Sequence, residues 1–214
     1  MYEPKHFRAP SAAAIETLVR TYPLAQLITR DESQQSQWAC DPIPLIALNG
    51  VCDGASLIGH VAKVNSLWKA SAAVLAVFTG PSAYISPTAY ASKKEHHRVV
   101  PTFNYATVQV SGRLTPIHDA KRKLEIVTRM TERFEQGETE PWAVSDAPAE
   151  YIESMLNAIV GIEIQIETVV GKFKLSQNRT QADQDGVRES LKAAHRDARH
   201  GEMLQLMDEL LPKA

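Results

Sequence analysis

Three short stretches carry the side chains best suited to holding an anion or a flat polar ligand. The first is Gly59-His60-Val61-Ala62-Lys63-Val64-Asn65-Ser66-Leu67-Trp68-Lys69. It begins as a strand, with apolar Leu57, Ile58 and Val61, and Gly59 permits close backbone approach. It then turns polar, so an apolar sheet leads into Lys63, Asn65, Ser66 and Lys69. A flat ligand with a phosphate suits that order, its plane on the sheet and its anion at the cation and polar hydrogens. A plain strand followed by a polar turn accounts for the same residues. His60 has two readings: it hydrogen-bonds a ligand edge, or it is a satisfied core histidine.

The second stretch runs from Gly171 to Arg179. Lys172, Lys174 and Arg179 surround Ser176, Gln177 and Asn178, which puts three cations, a hydroxyl and two amides within eight residues. Such a knot can bind phosphate; a solvated loop capping the next helix is the other reading. The third stretch is Thr102, Asn104 and Tyr105. Alternation along a strand puts Thr102 and Asn104 on one face, where the amide of Asn104 both donates and accepts. An Asn satisfying its own backbone near a turn reads equally well. Tyr84 and Ser86 also share a face. His96, His97 and His118 do not make a metal site, because adjacent residues on an extended chain point apart. No Ser-His-Asp arrangement can be argued from order alone, and no residue is singled out as catalytic.

Five stretches taken in order are more specific than any one. The chain opens Met1-Tyr2-Glu3-Pro4-Lys5-His6-Phe7, continues through the Gly59 stretch, then Val77-Phe78-Thr79-Gly80-Pro81-Ser82-Ala83-Tyr84-Ile85-Ser86-Pro87, Val100-Pro101-Thr102-Phe103-Asn104-Tyr105 and Gly171 to Arg179. In this order they resemble the PaiB-like family, the FMN-binding negative transcriptional regulators, from residue 1 to about residue 190. The resemblance implies a split β-barrel that dimerises and holds FMN at the dimer interface. It implies cofactor contacts from His60, Val61, Ala62, Lys63, Asn65, Thr102, Asn104, Tyr105, Lys174, Ser176, Gln177, Asn178 and Arg179. The phosphate would lie near Lys63 and the ring edge near His60, Thr102 and Asn104, with Lys174 to Arg179 closing the site. The chain departs from the family at Lys63, where Arg is usual, at Ser66, where Pro is usual, and at Ala89 and Phe103, where Trp is usual.

These residues need elements to position them. The chain has 214 residues, 44% hydrophobic and 22% charged, with a net charge of −2. That composition is ordinary for a globular protein, and the charge provides no global field for nucleic acid. Cys40 and Cys52 lack metal-site spacing and read as reduced thiols. No signal peptide or membrane-length apolar run is evident, so the expected location is the cytosol, with no membrane contact.

Ser11 predicts the cap of a helix over about 12–21. Strands are predicted at 24–29, 43–48, 57–63, 72–78, 84–86 and 103–114, with Gly80-Pro81 kinking the fourth, and a loop is predicted over 30–41. A helix over 118–136 presents Ala120, Leu124, Val127 and Phe134 on one face. A helix capped at Ser145 or Asp146 turns Ile152, Met155, Leu156 and Ile159 inward. Ile162, Ile164 and Ile166 alternate with Glu163, Gln165 and Glu167 in a strand that Gly171 breaks. Thr180 to Asp183 resembles a capping box before a helix over 181–198 with Val187, Leu191 and Ala194 inward. His200-Gly201 ends it, and a last helix spans 202–211.

This reads as α+β and mainly β: a split β-barrel over 1–175 with a C-terminal helical segment over 176–214 packing on the barrel or on a partner. The last two helices resemble a helix-turn-helix, and residues 172–200 carry a net +3. The final helix is acidic, however, which does not suit a recognition helix. The expectation is an FMN-binding, cytoplasmic homodimer acting as a negative transcriptional regulator, with any DNA surface built by the dimer. The alternatives are an FMN-dependent oxidoreductase of flavin reductase or oxidase type and a flavin-free dimer.

Overall fold

In the computed structural model, residues 1–30, 38–69, 72–193 and 198–211 are described. They form helices α1 (Ala12–Thr21), α2 (Lys93–His96), α3 (Ala120–Phe134), α4 (Ala149–Asn157), α5 (Gln181–Ala193) and α6 (Ala198–Leu210). The strands are β1 (Leu24–Arg30), β2 (Trp38–Pro44), β3 (Ile46–Ala47), β4 (Ser56–Ala62), β5 (Ala73–Ile85), β6 (Thr102–Ile117) and β7 (Ile159–Lys174). The chain is α+β and mainly β, as read from the sequence. Two compact units divide it: residues 1–18, 79–108 and 170–214 in one, and 19–78 and 109–169 in the other.

The unit of residues 19–78 and 109–169 is built on a sheet ordered β2-β1-β5-β6-β7-β4-β3. β1 pairs antiparallel with β2 and β5, and β4 pairs antiparallel with β3 and β7, placing His60 opposite Gly161. Ile162, Ile164 and Ile166 are buried, as their period-two alternation predicts. A Cβ on Gly59 would lie 2.7 Å from the Pro44 carbonyl oxygen, the close approach that this glycine permits. α3 is capped by Asp119, whose carboxylate accepts from the Arg122 amide at 2.8 Å.

The inward face of α3 is not the one expected. Lys123, Ile126 and Met130 are buried, whereas Leu124 and Phe134 are exposed. Two apolar stripes compete on this helix. The one holding Ile126 and Met130 faces inward, and it can carry Lys123 there because the ammonium donates to the carbonyls of Leu156 and Ile159. Ile126 and Met130 then pack with Ile58. In α4 only Leu156 is buried and Met155 is exposed. The Ser145 and Asp146 region forms a separate 3-10 turn, Val144–Asp146, and Pro148 occupies the N-cap position.

The unit of residues 1–18, 79–108 and 170–214 takes in the ends of β5 and β7 and the start of β6. Ser11 caps α1 as predicted, its Oγ accepting from the Ala14 amide at 3.1 Å. β5 runs unbroken through Gly80-Pro81, in place of the expected kink, and its burial alternates along its length. β7 runs through Gly171 to Lys174. A Cβ there would come within 2.8 Å of Ala9, so this glycine admits the N-terminal segment and does not end the strand.

α5 packs against α6, and Arg188 of α5 ties them through Asp208 of α6 at 3.1 Å while pairing with Asp185 of its own helix at 3.0 Å. Thr180 accepts from the Asp183 amide at 3.3 Å, half of the expected capping box. The Asp183 carboxylate instead accepts from the amide and hydroxyl of Ser92, each at 2.9 Å. His200 and Gly201 lie inside α6, not at a helix end. Ala194 falls outside the described residues, as does most of the loop expected over 30–41, whose last residues are β2.

Candidate functional site

A cavity of about 240 Å³ lies within the unit of residues 1–18, 79–108 and 170–214. β6 begins at Thr102, directly after Pro101, and strand alternation sends Thr102 and Asn104 to the cavity wall. Phe103 points the other way, exposed, edge-to-face with Tyr84 at 5.6 Å. β7 delivers Lys174 to the same wall, and the turn after it adds Ser176, Asn178 and Arg179. Ser176 adopts φ 67°, a left-handed conformation uncommon outside glycine. That geometry lets its hydroxyl donate to the Asn104 Oδ1 at 3.1 Å. The Asn104 amide nitrogen reaches the Met207 sulfur at 3.8 Å.

The electrostatics of the wall favour an anion. Lys174 and Arg179 line it, and among the described residues no Asp or Glu does. The Lys174 ammonium donates to Thr102 Oγ1. Burial lowers its pKa below the usual lysine value; Tyr105 opposes this, and Lys172 and Arg179 add to it. The Arg179 guanidinium lies 4.8 Å from the centroid of the Tyr90 ring. Tyr90 is almost fully buried, lines the cavity, and its hydroxyl has no hydrogen-bond partner among the described residues. A buried hydroxyl left unmade is costly, so a ligand that engages it gains by doing so.

Six of the thirteen site residues read from the sequence therefore meet at one wall: Thr102, Asn104, Lys174, Ser176, Asn178 and Arg179. Two neighbours do not line it. Gln177 spends its side chain on the turn itself, accepting from the Leu175 amide at 2.6 Å and donating to the Phe173 carbonyl. Tyr105 follows Asn104 on the other strand face, where Lys172 lies 5.5 Å from its ring. The sequence reading missed Phe7, Tyr90, Val100 and Pro101 as walls, although Phe7, Val100 and Pro101 stand inside its quoted stretches and Tyr90 lies three residues beyond one. Ala89 is buried, and its carbonyl oxygen would lie 2.0 Å from a Cβ on Gly186.

His60, Val61, Ala62, Lys63 and Asn65 belong to the other unit. Val61 is buried in β4, while Ala62 and Lys63 are exposed. The Lys63 backbone is committed, its amide to the Ala158 carbonyl at 2.8 Å and its carbonyl to the Trp68 indole at 3.1 Å. Asn65 accepts from the Leu67 amide at 2.7 Å and donates to Asp41 at 3.3 Å, so its amide shapes the turn. His60 is half-buried, and its Nδ1 has no partner among the described residues. Burial lowers its pKa from the ordinary histidine value.

Comparison with known proteins places these features. The model of a family described as "Putative FMN-binding domain" matches residues 1–168. "Protease synthase and sporulation protein PAI 2" of Bacillus subtilis is 31% identical over 216 residues, covering 100% of this chain and 99% of that protein. An uncharacterized protein of Emericella nidulans is 37% identical over 169 residues, 65% of this chain and 67% of its own length. Among solved structures, the flavocytochrome Anf3 from Azotobacter vinelandii has a TM-score of 0.57 at 16% identity, covering 78% of this chain and 69% of that one. This last likeness concerns the fold alone. The family match ends before Lys174, whereas the full-length Bacillus relative spans the whole cavity wall.

Proposed function

The chain belongs to this FMN-binding family, and from that premise we propose that it is a flavoprotein that binds FMN as a homodimer and acts as a negative regulator of transcription. One observation carries the cofactor assignment: among the described residues the cavity presents Lys174 and Arg179, hydroxyl and amide groups, a Tyr90 hydroxyl without a partner and no carboxylate. Its donors suit a phosphate. Its volume of about 240 Å³ falls below the roughly 300–1,000 Å³ of pockets that enclose a drug-sized ligand. The cavity therefore takes the phosphate end of FMN and leaves the ring outside it. Lys174 and Arg179 pair with the anion, and Ser176 and Asn178 orient it. Bound FMN would supply a ring able to accept two electrons.

The other unit carries a candidate of its own: the buried Nδ1 of His60 has no partner among the described residues, so it can bond a ligand edge there. Lys63, exposed, is the competing phosphate cation. The exposed Tyr84 and Phe103 pair is the apolar surface that supports a dimer. The regulatory role follows from the PaiB-like resemblance.

A visible spectrum and an FMN titration test the cofactor reading. A yellow protein, or saturable micromolar binding, is expected. Lys174→Ala is expected to cost about 1.5–3 kcal/mol of binding, the range for a hydrogen bond to a charged group. A colourless protein indifferent to FMN overturns the assignment. Rapid turnover of NAD(P)H by the loaded protein would shift the reading from regulator to flavin-dependent oxidoreductase.

A further inference from the structure

We propose that the turn from Lys93 to Arg98 is a contact surface for the phosphate backbone of duplex DNA. The inference rests on the regulatory reading and gives it a location. Within six residues the turn carries Lys93, Lys94, His96, His97 and Arg98 against one acid, Glu95. Residues 94–98 are exposed and Lys93 is partly so. None of these cations is ion-paired among the described residues. On a chain whose net charge is −2, this is a local positive patch left unneutralised.

The patch is also held in place. The buried Asp183 carboxylate accepts from both the Ser92 amide and hydroxyl at 2.9 Å, anchoring the start of the turn. Its end is fixed by His97 in the left-handed region at φ 58°, with its amide donating to the Lys93 carbonyl at 3.2 Å. The His96 Nδ1 accepts from the Arg98 amide at 3.0 Å. A backbone that is already held in place loses less entropy on meeting a partner.

A polyanion fits an exposed row of cations better than a single small anion, which a cavity would enclose. A membrane surface fits less well. Binding there combines charge with apolar side chains that enter the interface, and between buried Tyr90 and half-buried Val99 the turn has no large apolar residue. Lys and Arg on backbone phosphates give sequence-independent affinity that falls steeply with salt.

The test is fluorescence anisotropy of a labelled duplex of about 30 base pairs, titrated with FMN-loaded wild type and with the triple variant K93A/K94A/R98A at several salt concentrations. The wild type is expected to bind. The variant is expected to bind about tenfold or more weakly, with a salt slope shallower by about one for each phosphate it no longer neutralises. It should retain FMN and its thermal midpoint. K93R/K94R, which keeps the charge, should bind as wild type does and guards against a folding artefact. Binding by the triple variant equal to wild type overturns the assignment while leaving the regulatory reading intact. Wild type that ignores DNA at low salt removes the regulatory reading itself. Loss of FMN by the triple variant overturns the proposal by assigning the turn to the cofactor site. Loss of binding to phosphatidylserine vesicles with DNA binding unchanged overturns it in favour of a membrane.

Discussion

Lys174 and His60 both sit at lowered pKa through burial, and each gives a signed expectation. An anion at the cavity wall needs the Lys174 ammonium. FMN affinity should therefore fall as pH rises through the lowered Lys174 pKa, earlier than an ordinary lysine would impose. In Lys174→Arg the guanidinium stays charged, and the alkaline fall should disappear from a series of titrations at increasing pH. For the cofactor-free protein, the unfolded chain holds the Lys174 proton longer than the folded one does. Stability should thus climb with pH from the folded Lys174 pKa towards the usual lysine value. The same logic governs His60 at the acid end. As pH falls below about 6.5, the unfolded histidine protonates while the folded one resists, so stability drops until the folded pKa is passed. His60→Leu should flatten that acid slope in denaturant unfolding at stepped pH. At neutral pH it should cost little, because the histidine's Nδ1 has no partner among the described residues.

Glycine at the element scale separates two uses that the sequence writes identically. A Cβ on Gly186 in α5 would meet the Ala89 carbonyl oxygen at 2.0 Å, so the helix lies directly on the 3-10 turn Pro87–Ala89 that precedes the basic turn. Gly186→Ala should destabilise by about 1–3 kcal/mol, the usual cost of overpacking, despite its better helix propensity. Gly201 in α6 has open space around it, and Gly201→Ala should stabilise by up to about 1 kcal/mol through propensity alone. Thermal or denaturant unfolding of the two variants reads both signs. This ambiguity explains where the sequence misleads about elements. Gly171 and Gly201 read as stops, but one accommodates Ala9 beside a continuing strand and the other is a tolerated weak point inside a helix. The alternation of Ile162, Ile164 and Ile166 is legible because a strand buried on one face permits only one registry. The inward face of α3 is not, because a buried lysine satisfied by two carbonyls looks polar in sequence.

At the scale of the whole molecule, the cavity draws on three segments far apart in the chain: Phe7, the stretch from Tyr90 to Asn104, and the stretch from Lys174 to Arg179. Local periodicity cannot bring such segments together. The order of five motifs could, because a family pattern carries the result of folding. It named most of the polar wall and left out Tyr90, whose role depends on burial that no motif displays. The division into two units makes the location of the phosphate testable without mutation. FMN at about 100 times its Kd should stabilise the folded state by about 2.7 kcal/mol, and unfolding should shift upward by roughly 5–10 °C for a chain of this size. Hydrogen exchange with and without FMN then locates the effect. Amides at Thr102–Tyr105 and Lys174–Arg179 should gain protection most, since ordering the anion's donors suppresses local opening there. Protection concentrated instead at residues 60–65 would place the phosphate at Lys63 and leave the cavity of Lys174 and Arg179 for another anion.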